Sequence, residues 1–302
     1  MTLRAWAELL RVSALFTVPG DALAGAASAG VRPNRGTALA VGASLCMYEA
    51  GMALNDWADR DEDAVERPHR PIPSGRITPD AALAAAGGLT AAGLLLAARA
   101  GRPALALTTA LAATVWAYDL RLKHTAAGPV AMGAARALDV LLGATATSSA
   151  PRRTPTPPPS APSPAVPPGA LVPAALLGAH TVAVTGVSRA EVYGGSVGAP
   201  LAALVVTGVL GGIVGRPQGP GGGALVTGGL AAAYAVTAGR PFLHAALNPS
   251  PQLTQRAVGG GIRAMIPFQA ALVARGGAPA VGLAVMGLVP LARKFAKKVS
   301  VT

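Results

Sequence analysis

The stretch Asn55-Asp56-Trp57-Ala58-Asp59-Arg60-Asp61-Glu62-Asp63-Ala64-Val65-Glu66-Arg67 holds six of the thirteen acidic residues of a 302-residue chain. It follows directly on an apolar run. Carboxylates are costly near a bilayer core, so such a grouping marks a functional site. If the preceding helix continues through it at about 100° per residue, Asn55, Asp56, Asp59, Asp63 and Glu66 share one face and Asp61 points away. Oxygen ligands on one helical stripe suit a hard divalent cation. Mg²⁺ is the usual choice where phosphate oxygens complete the shell, because it takes only one or two carboxylates from the protein. The alternative is a solvated charged loop after a membrane helix.

Two other metal chemistries fail by register. Asp59, Asp61 and Asp63 imitate the start of a Ca²⁺-binding helix-loop-helix, but its sixth position is Ala64 rather than Gly and its twelfth is Arg70 rather than Glu. One cysteine and four scattered histidines form no zinc pattern.

Asn55-Asp56-x-x-Asp59-x-x-x-Asp63, followed by Arg67-Pro68-His69-Arg70-Pro71-Ile72-Pro73-Ser74-Gly75, resembles the first aspartate-rich motif of the UbiA superfamily of intramembrane prenyltransferases. Tyr118-Asp119-Leu120-Arg121-Leu122-Lys123 is similar to the tyrosine-to-lysine motif that this family carries between its fourth and fifth helices. The resemblance implies a Mg²⁺-dependent enzyme that transfers a prenyl group from a polyprenyl diphosphate to a small hydrophobic acceptor. It implies Asn55, Asp59 and Asp63 as Mg²⁺ ligands with Asp56 beside them, Lys123 on the diphosphate and Tyr118 next to it. Asp56, Asp59, Asp63 and Lys123 are then the catalytic set. Arg67 and Arg70 stand where cationic phosphate clamps would act.

The family's second aspartate-rich motif, at the end of its sixth helix, has no full counterpart. That position holds His180 and then Ser188-Arg189-Ala190-Glu191-Val192-Tyr193-Gly194-Gly195. Glu191 is the one acid available there and Arg189 is a substitute positive charge; the alternative is an exposed ion pair of little energetic weight. Arg136 and Asp139, inside another apolar run, share a helix face at i, i+3 and can pair. They either line the substrate cavity or form a structural buried pair.

These residues need a membrane scaffold. The chain is 52% hydrophobic and only 13% charged, with a mean hydropathy of +0.47, which excludes a soluble domain of ordinary composition. Apolar runs lie near 12–30, 37–57, 80–100, 103–120, 127–148, 169–188, 197–215 and 222–239, with a Gly-interrupted region at 257–292. Each long run approaches the ~20 residues that span a bilayer. The expectation is an all-α, polytopic membrane bundle of about nine helices around a central cavity. It forms a single domain over 1–302, with N-terminal helices to 148, a loop at 149–168 and C-terminal helices from 169. Arg4 and Arg11 precede the first run as in a cleaved signal peptide, but Pro19 and Asp21 interrupt the apolar region, so it is read as an uncleaved first helix.

The net charge of +12 sits in short loops between the runs, so membrane orientation explains it and nucleic acid is not an expected partner. A cytoplasmic N-terminus puts nine Arg and Lys on the cytoplasmic side against seven opposite, counted to residue 216. The expected location is therefore the cytoplasmic membrane. Residues 151–168 hold nine prolines and read as an extended linker. Gly215–Gly223 reads as a connector, since it lacks the Lys and Ser/Thr of a phosphate loop.

Different function classes are separated by where the acids lie. A transporter would spread carboxylates along a midplane pathway at broken helices, whereas here they gather at one helix end. A phosphotransferase acting on CDP-alcohols would open its Asp cluster with Asp-Gly, a dipeptide the chain lacks. The remaining rival is a UbiA-like protein that binds or carries a lipid-like metabolite without transferring a prenyl group. The acceptor, the prenyl chain length and the oligomeric state are not encoded in any motif.

Overall fold

The computed structural model describes residues 2–150, 165–191, 194–217 and 222–291. Most of the Pro-rich linker, the centre of the Gly215–Gly223 connector, Val192-Tyr193 and the basic segment Arg293–Lys298 lie outside the described residues. The described residues form helices and turns, with no strand among them.

In chain order the helices are α1 (Leu3–Leu9), α2 (Pro19–Ser28), α3 (Arg35–Ala58), α4 (Arg60–Glu66), α5 (Pro79–Ala100), α6 (Arg102–Ala117), α7 (Gly128–Ser149), α8 (Leu171–Ser188), α9 (Gly198–Gly215), α10 (Gly222–Leu247), α11 (Pro251–Arg275) and α12 (Pro279–Met286). Seven of them, α3, α5 and α7 to α11, are long and apolar enough to cross a membrane, α8 being counted with the short turn that precedes it. The chain is a multi-pass membrane protein. Two of the nine expected runs take other forms. The run at 103–120 becomes the sixteen-residue α6 and a π turn at Tyr118–Leu122.

The first run is the larger correction. It is not one helix but a 3₁₀ segment, Val12–Thr17, followed by the ten-residue α2. Arg11, with φ 47°, is left-handed and turns the chain between α1 and this segment. Pro19 then has no N–H to give to a continuing helix and instead starts a new one. The Gly-interrupted region resolves into α11 and α12, separated at Gly277, whose φ of 90° suits only a residue without a Cβ.

Caps written into the sequence set the other boundaries. The Asn34 side chain accepts from Gly36 and Thr37 at the start of α3, and the Thr37 hydroxyl accepts from the Asn34 backbone in return. Thr78 caps α5, and prolines stand in the first turn of α5, α6, α7 and α11.

Small residues let the backbones approach. A Cβ on Gly143 of α7 would lie 2.3 Å from the Ala22 Cα of α2, and one on Gly25 would lie 2.1 Å from the Val140 carbonyl oxygen. Between membrane helices, where burial from lipid supplies no hydrophobic drive, such contact is what holds a crossing together. Helix α11 is the most enclosed of the seven spans, with 83% of its apolar window buried. Around it Tyr234 stacks on Phe268 with ring centroids 4.2 Å apart. His180 bonds the Tyr234 hydroxyl and the Gly261 carbonyl there, which makes it a satisfied core residue. Leu95, Val130, Val205, Val209 and Val236 remain exposed on the outside, as lipid-facing side chains should.

Candidate active site at the mouth of the helix cavity

A cavity of about 370 Å³ opens between α3, the end of α6, α7, α8 and α11. On α3 its wall is Ser44, Met47, Tyr48, Gly51, Met52 and Asn55, a run of i, i+3 and i+4 positions on one face. Eleven residues separate its ends, roughly 16 Å of helix. Leu111, Val115, Met132, Val184 and Met265 make most of the remaining surface apolar.

One end of this cavity carries the acidic motif. Helix α3 does not run straight through it: Asp59 adopts φ −90°, ψ 6° and separates α3 from α4, although its amide still donates to Asn55 and its carbonyl still accepts from Asp63. The break corrects one element of the predicted stripe. Asp56 and Asp63 are buried as expected, but Glu66 is exposed, because the re-aimed α4 turns its far end to solvent. Asp61 points outward as predicted, with its side chain 89% exposed.

Every acid of this motif that turns inward meets a cation. Asp56 accepts from Arg11 at 3.2 Å and Arg70 at 3.4 Å, and Asp63 from Arg70 at 2.6 Å and Arg67 at 3.4 Å. Asp59 is paired with Lys123. The Asn55 amide nitrogen donates to Asp119 at 3.2 Å, and its oxygen lies 3.5 Å from Arg11. Tyr118 and Asp119 line the cavity from the π turn, a backbone form that recurs at functional sites. Nine of the sequence-derived residues, Asn55, Asp56, Asp59, Asp63, Arg67, Arg70, Tyr118, Lys123 and Glu191, thus gather at or near one rim. For Glu191, burial pushes the carboxyl above the ordinary glutamate range and the Arg67 charge partly opposes this, which ties the end of α8 to the motif.

Other assignments come out differently. Arg189 is exposed and donates to the Thr125 carbonyl at 2.9 Å, bracing the turn before α7. Arg136 does not pair with Asp139. Its partner is Asp21 of α2, while Asp139 accepts from the Ser44 hydroxyl. Gln269 of α11 completes the cluster, donating to Asp21 and to the Thr17 carbonyl, both at 2.6 Å. Arg136, Asp139 and Ser44 line the cavity's deeper part.

Arg11 and Asp119 were outside the sequence-derived set. Asp119 carried a usable signal, an acid closing an apolar run within the Tyr118–Lys123 element. Arg11 carried none, since its contacts lie 44 and 45 positions away.

All inward-facing donors of the motif are carboxylate or amide oxygens, the donor type for a hard cation. Among the described residues, one group of three acidic or imidazole ligand atoms, from Asp59, Glu62 and His124, lies within 4.8 Å of one another, with Glu62 and His124 exposed.

Residues 13–191 match the UbiA prenyltransferase family. The chain belongs to that family. The matched UbiA region contains both motifs, the Arg136 and Asp139 positions and Glu191. Over 128 residues the chain is 38% identical to digeranylgeranylglyceryl phosphate synthase of Methanopyrus kandleri, covering 41% of this chain and 45% of that one. Over 95 residues it is 41% identical to protoheme IX farnesyltransferase of Acidiphilium cryptum, covering 30% of each. The chain thus spans less than half the length of these curated relatives. In structure it matches a UbiA homologue from Aeropyrum pernix with a TM-score of 0.64 at 19% identity, covering 91% of this chain and 98% of that one. A UbiA homologue from Archaeoglobus fulgidus bound to DMAPP and Mg²⁺ matches with a TM-score of 0.60 at 14% identity, over 91% and 99% of the two chains. At such identities the likeness shows the UbiA fold.

Proposed function

We infer that this UbiA protein transfers a prenyl group from a polyprenyl diphosphate to a small hydrophobic acceptor, in the cytoplasmic membrane and with Mg²⁺. The observation that carries the reading is the interleaving of three acids, Asp56, Asp59 and Asp63, with four cations at one end of an apolar cavity. Support also comes from relatives named as prenyl-transferring enzymes and from a homologue bound to DMAPP and Mg²⁺.

Asn55, Asp59 and Asp63 would hold the metal, with Asp56 as a further oxygen. Bound there, Mg²⁺ supplies neutralisation of the charge that develops on the leaving diphosphate. Lys123, Arg67 and Arg70 now neutralise the same carboxylates. With a metal held by those acids, the three cations would be available to diphosphate oxygens as charge-assisted donors. Arg11, already at the rim, joins them. The wall from Met47 to Met265 receives the prenyl chain and keeps water from the allylic carbon, where a developing cation would otherwise be quenched. Tyr118 flanks that carbon's position at the rim. Arg136 and Asp139 offer polar contacts to the substrate deeper in the cavity, and Glu191 and Arg189 remain candidates on the α8 side.

The test is transfer in membranes supplied with geranyl, farnesyl or geranylgeranyl diphosphate and a lipid extract as acceptor source. Mg²⁺-dependent formation of a prenylated product, lost in Asp59→Ala and Asp63→Ala, is expected. Normal turnover in both variants would sink the site assignment. Mg²⁺-dependent binding of the diphosphate without any transfer would favour the non-catalytic lipid carrier, a reading that the incomplete second motif keeps in view.

A further inference from the structure

Two rungs connect α3 to the turn after α6. Asn55 and Asp59 stand four apart on one side, Asp119 and Lys123 four apart on the other, and the partners are Asn55 with Asp119 and Asp59 with Lys123. The second rung is an ion pair. The first joins a carboxyl group to a neutral amide.

Asp119 is therefore unlike its neighbours. Asp56, Asp59 and Asp63 each have a cation within 4.0 Å; among the described residues Asp119 has none. It is 4% exposed and lines the cavity. Its Oδ1 accepts from Asn55, and its Oδ2 makes no hydrogen bond among the described residues. That oxygen faces the backbone of Gly51, on which a Cβ would stand 4.0 Å from it and 3.1 Å from Val115. Lys123 and Arg11 act on it only from beyond 4.0 Å, and a buried carboxylate with so little countercharge is stabilised when a cation joins it.

Among the described residues, the α8 side of the mouth offers a single acid. Only Glu191 is acidic there; the cavity wall at that point is Thr185 and Ser188, and Glu191 does not line it. Resting on the function inferred above, we propose that Asp119 is a Mg²⁺ ligand of the diphosphate site, supplying from the Tyr118–Lys123 turn the carboxylate that the end of α8 does not. Its free Oδ2 and the amide oxygen of Asn55 give the ion two of its oxygens. The site is thereby built on one side of the cavity, between α3 and the π turn.

The experiment is binding of geranylgeranyl thiolodiphosphate, a non-transferable analogue, to the purified full chain in detergent, titrated with Mg²⁺ and counted with Mn²⁺ by electron spin resonance. Asp119→Asn keeps the shape and can still accept from Asn55; it removes only the charge. The Mg²⁺ needed for half-saturation should rise by about 10-fold or more in Asp119→Asn, with fewer Mn²⁺ held per chain. Asp119→Glu should recover part of the loss, and Asp61→Asn, on the exposed side of α4, should match wild type. Asp119→Ser carries the same comparison if the Asn variant does not fold. Wild-type Mg²⁺ dependence and Mn²⁺ count in the charge-free variants, while Asp59→Asn loses both, would overturn the ligand role and leave the inferred function standing. Absence of Mg²⁺-dependent binding in wild type overturns both.

Discussion

Lys123 donates to Asp59 across 64 positions of sequence, joining the turn after α6 to the end of α3. The lysine side chain is 9% exposed and the aspartate 18% exposed, so the pair is largely shielded from solvent. The ammonium is the resident cation of the carboxylate, and on the function proposed above it would become a donor to diphosphate once a metal takes its place. Loss of one charge-assisted hydrogen bond costs about 1.5–3 kcal/mol, or about 10- to 150-fold in affinity. Lys123→Ala should weaken binding of a prenyl thiolodiphosphate by that factor at saturating Mg²⁺, and Lys123→Arg by less. Equal affinities for wild type and Lys123→Ala, measured by equilibrium dialysis, would remove the lysine from the diphosphate site.

Asp63 has a structural duty beside its proposed role as a ligand. Its side chain is 2% exposed and holds both Arg67 and Arg70. Removing it leaves Arg70 with Asp56 alone and the 41% exposed Arg67 with solvent and Glu66, at a cost of about 1 kcal/mol. Asp63→Ala should therefore melt earlier in detergent as well as lose activity. Asp61→Ala, two positions away and exposed, should melt with wild type. An Asp63→Ala protein as stable as wild type would mean that the arginines find other partners.

Deeper in the bundle, Arg136 and Asp21 pair between α7 and α2, the aspartate fully buried. Arg136→Met alone should cost about 3–5 kcal/mol of stability, because Asp21 would lose its paired cation and keep only uncharged or acidic neighbours, Gln269 and Asp139. Combining it with Asp21→Asn should recover much of that loss. A double-mutant cycle read by thermal unfolding measures the coupling; strict additivity would show that the two side chains do not act as a pair.

The α2–α7 crossing is set by small residues. Gly143→Val should destabilise by about 1–3 kcal/mol, since even the first added carbon meets the Ala22 backbone. Gly87→Val, where no atom lies within 4 Å of a new Cβ, is the control. Comparable melting of the two variants would contradict the close approach.

Much of the site was legible as local spacing. Asn55, Asp56, Asp59 and Asp63 are separated by helical intervals, so their types and positions point to metal chemistry before any fold is known, whereas the diphosphate role of Tyr118 and Lys123 came only from the resemblance to the UbiA motif. Membrane helices are equally legible, because lipid demands long apolar segments whose backbone bonds are internal. Local rules also misled. The i, i+3 spacing of Arg136 and Asp139 suggested a pair, but Asp21 arrives from 115 positions away and takes the arginine. Continuing α3 as an ideal helix kept Glu66 on the metal face, whereas the backbone at Asp59 ends that helix.

The sequence by itself determined the membrane scaffold, the oxygen-rich motif and its cationic neighbours, since each depends on residue type and on intervals within one helix. Tertiary structure alone decided which acid meets which cation. Arg11, Asp21, Asp119 and Gln269 acquire their roles only when α2, α3, the turn after α6, and α11 pack around one cavity. A buried charge takes its partner from whatever the packed helices bring within reach, and that distance is not written along the chain.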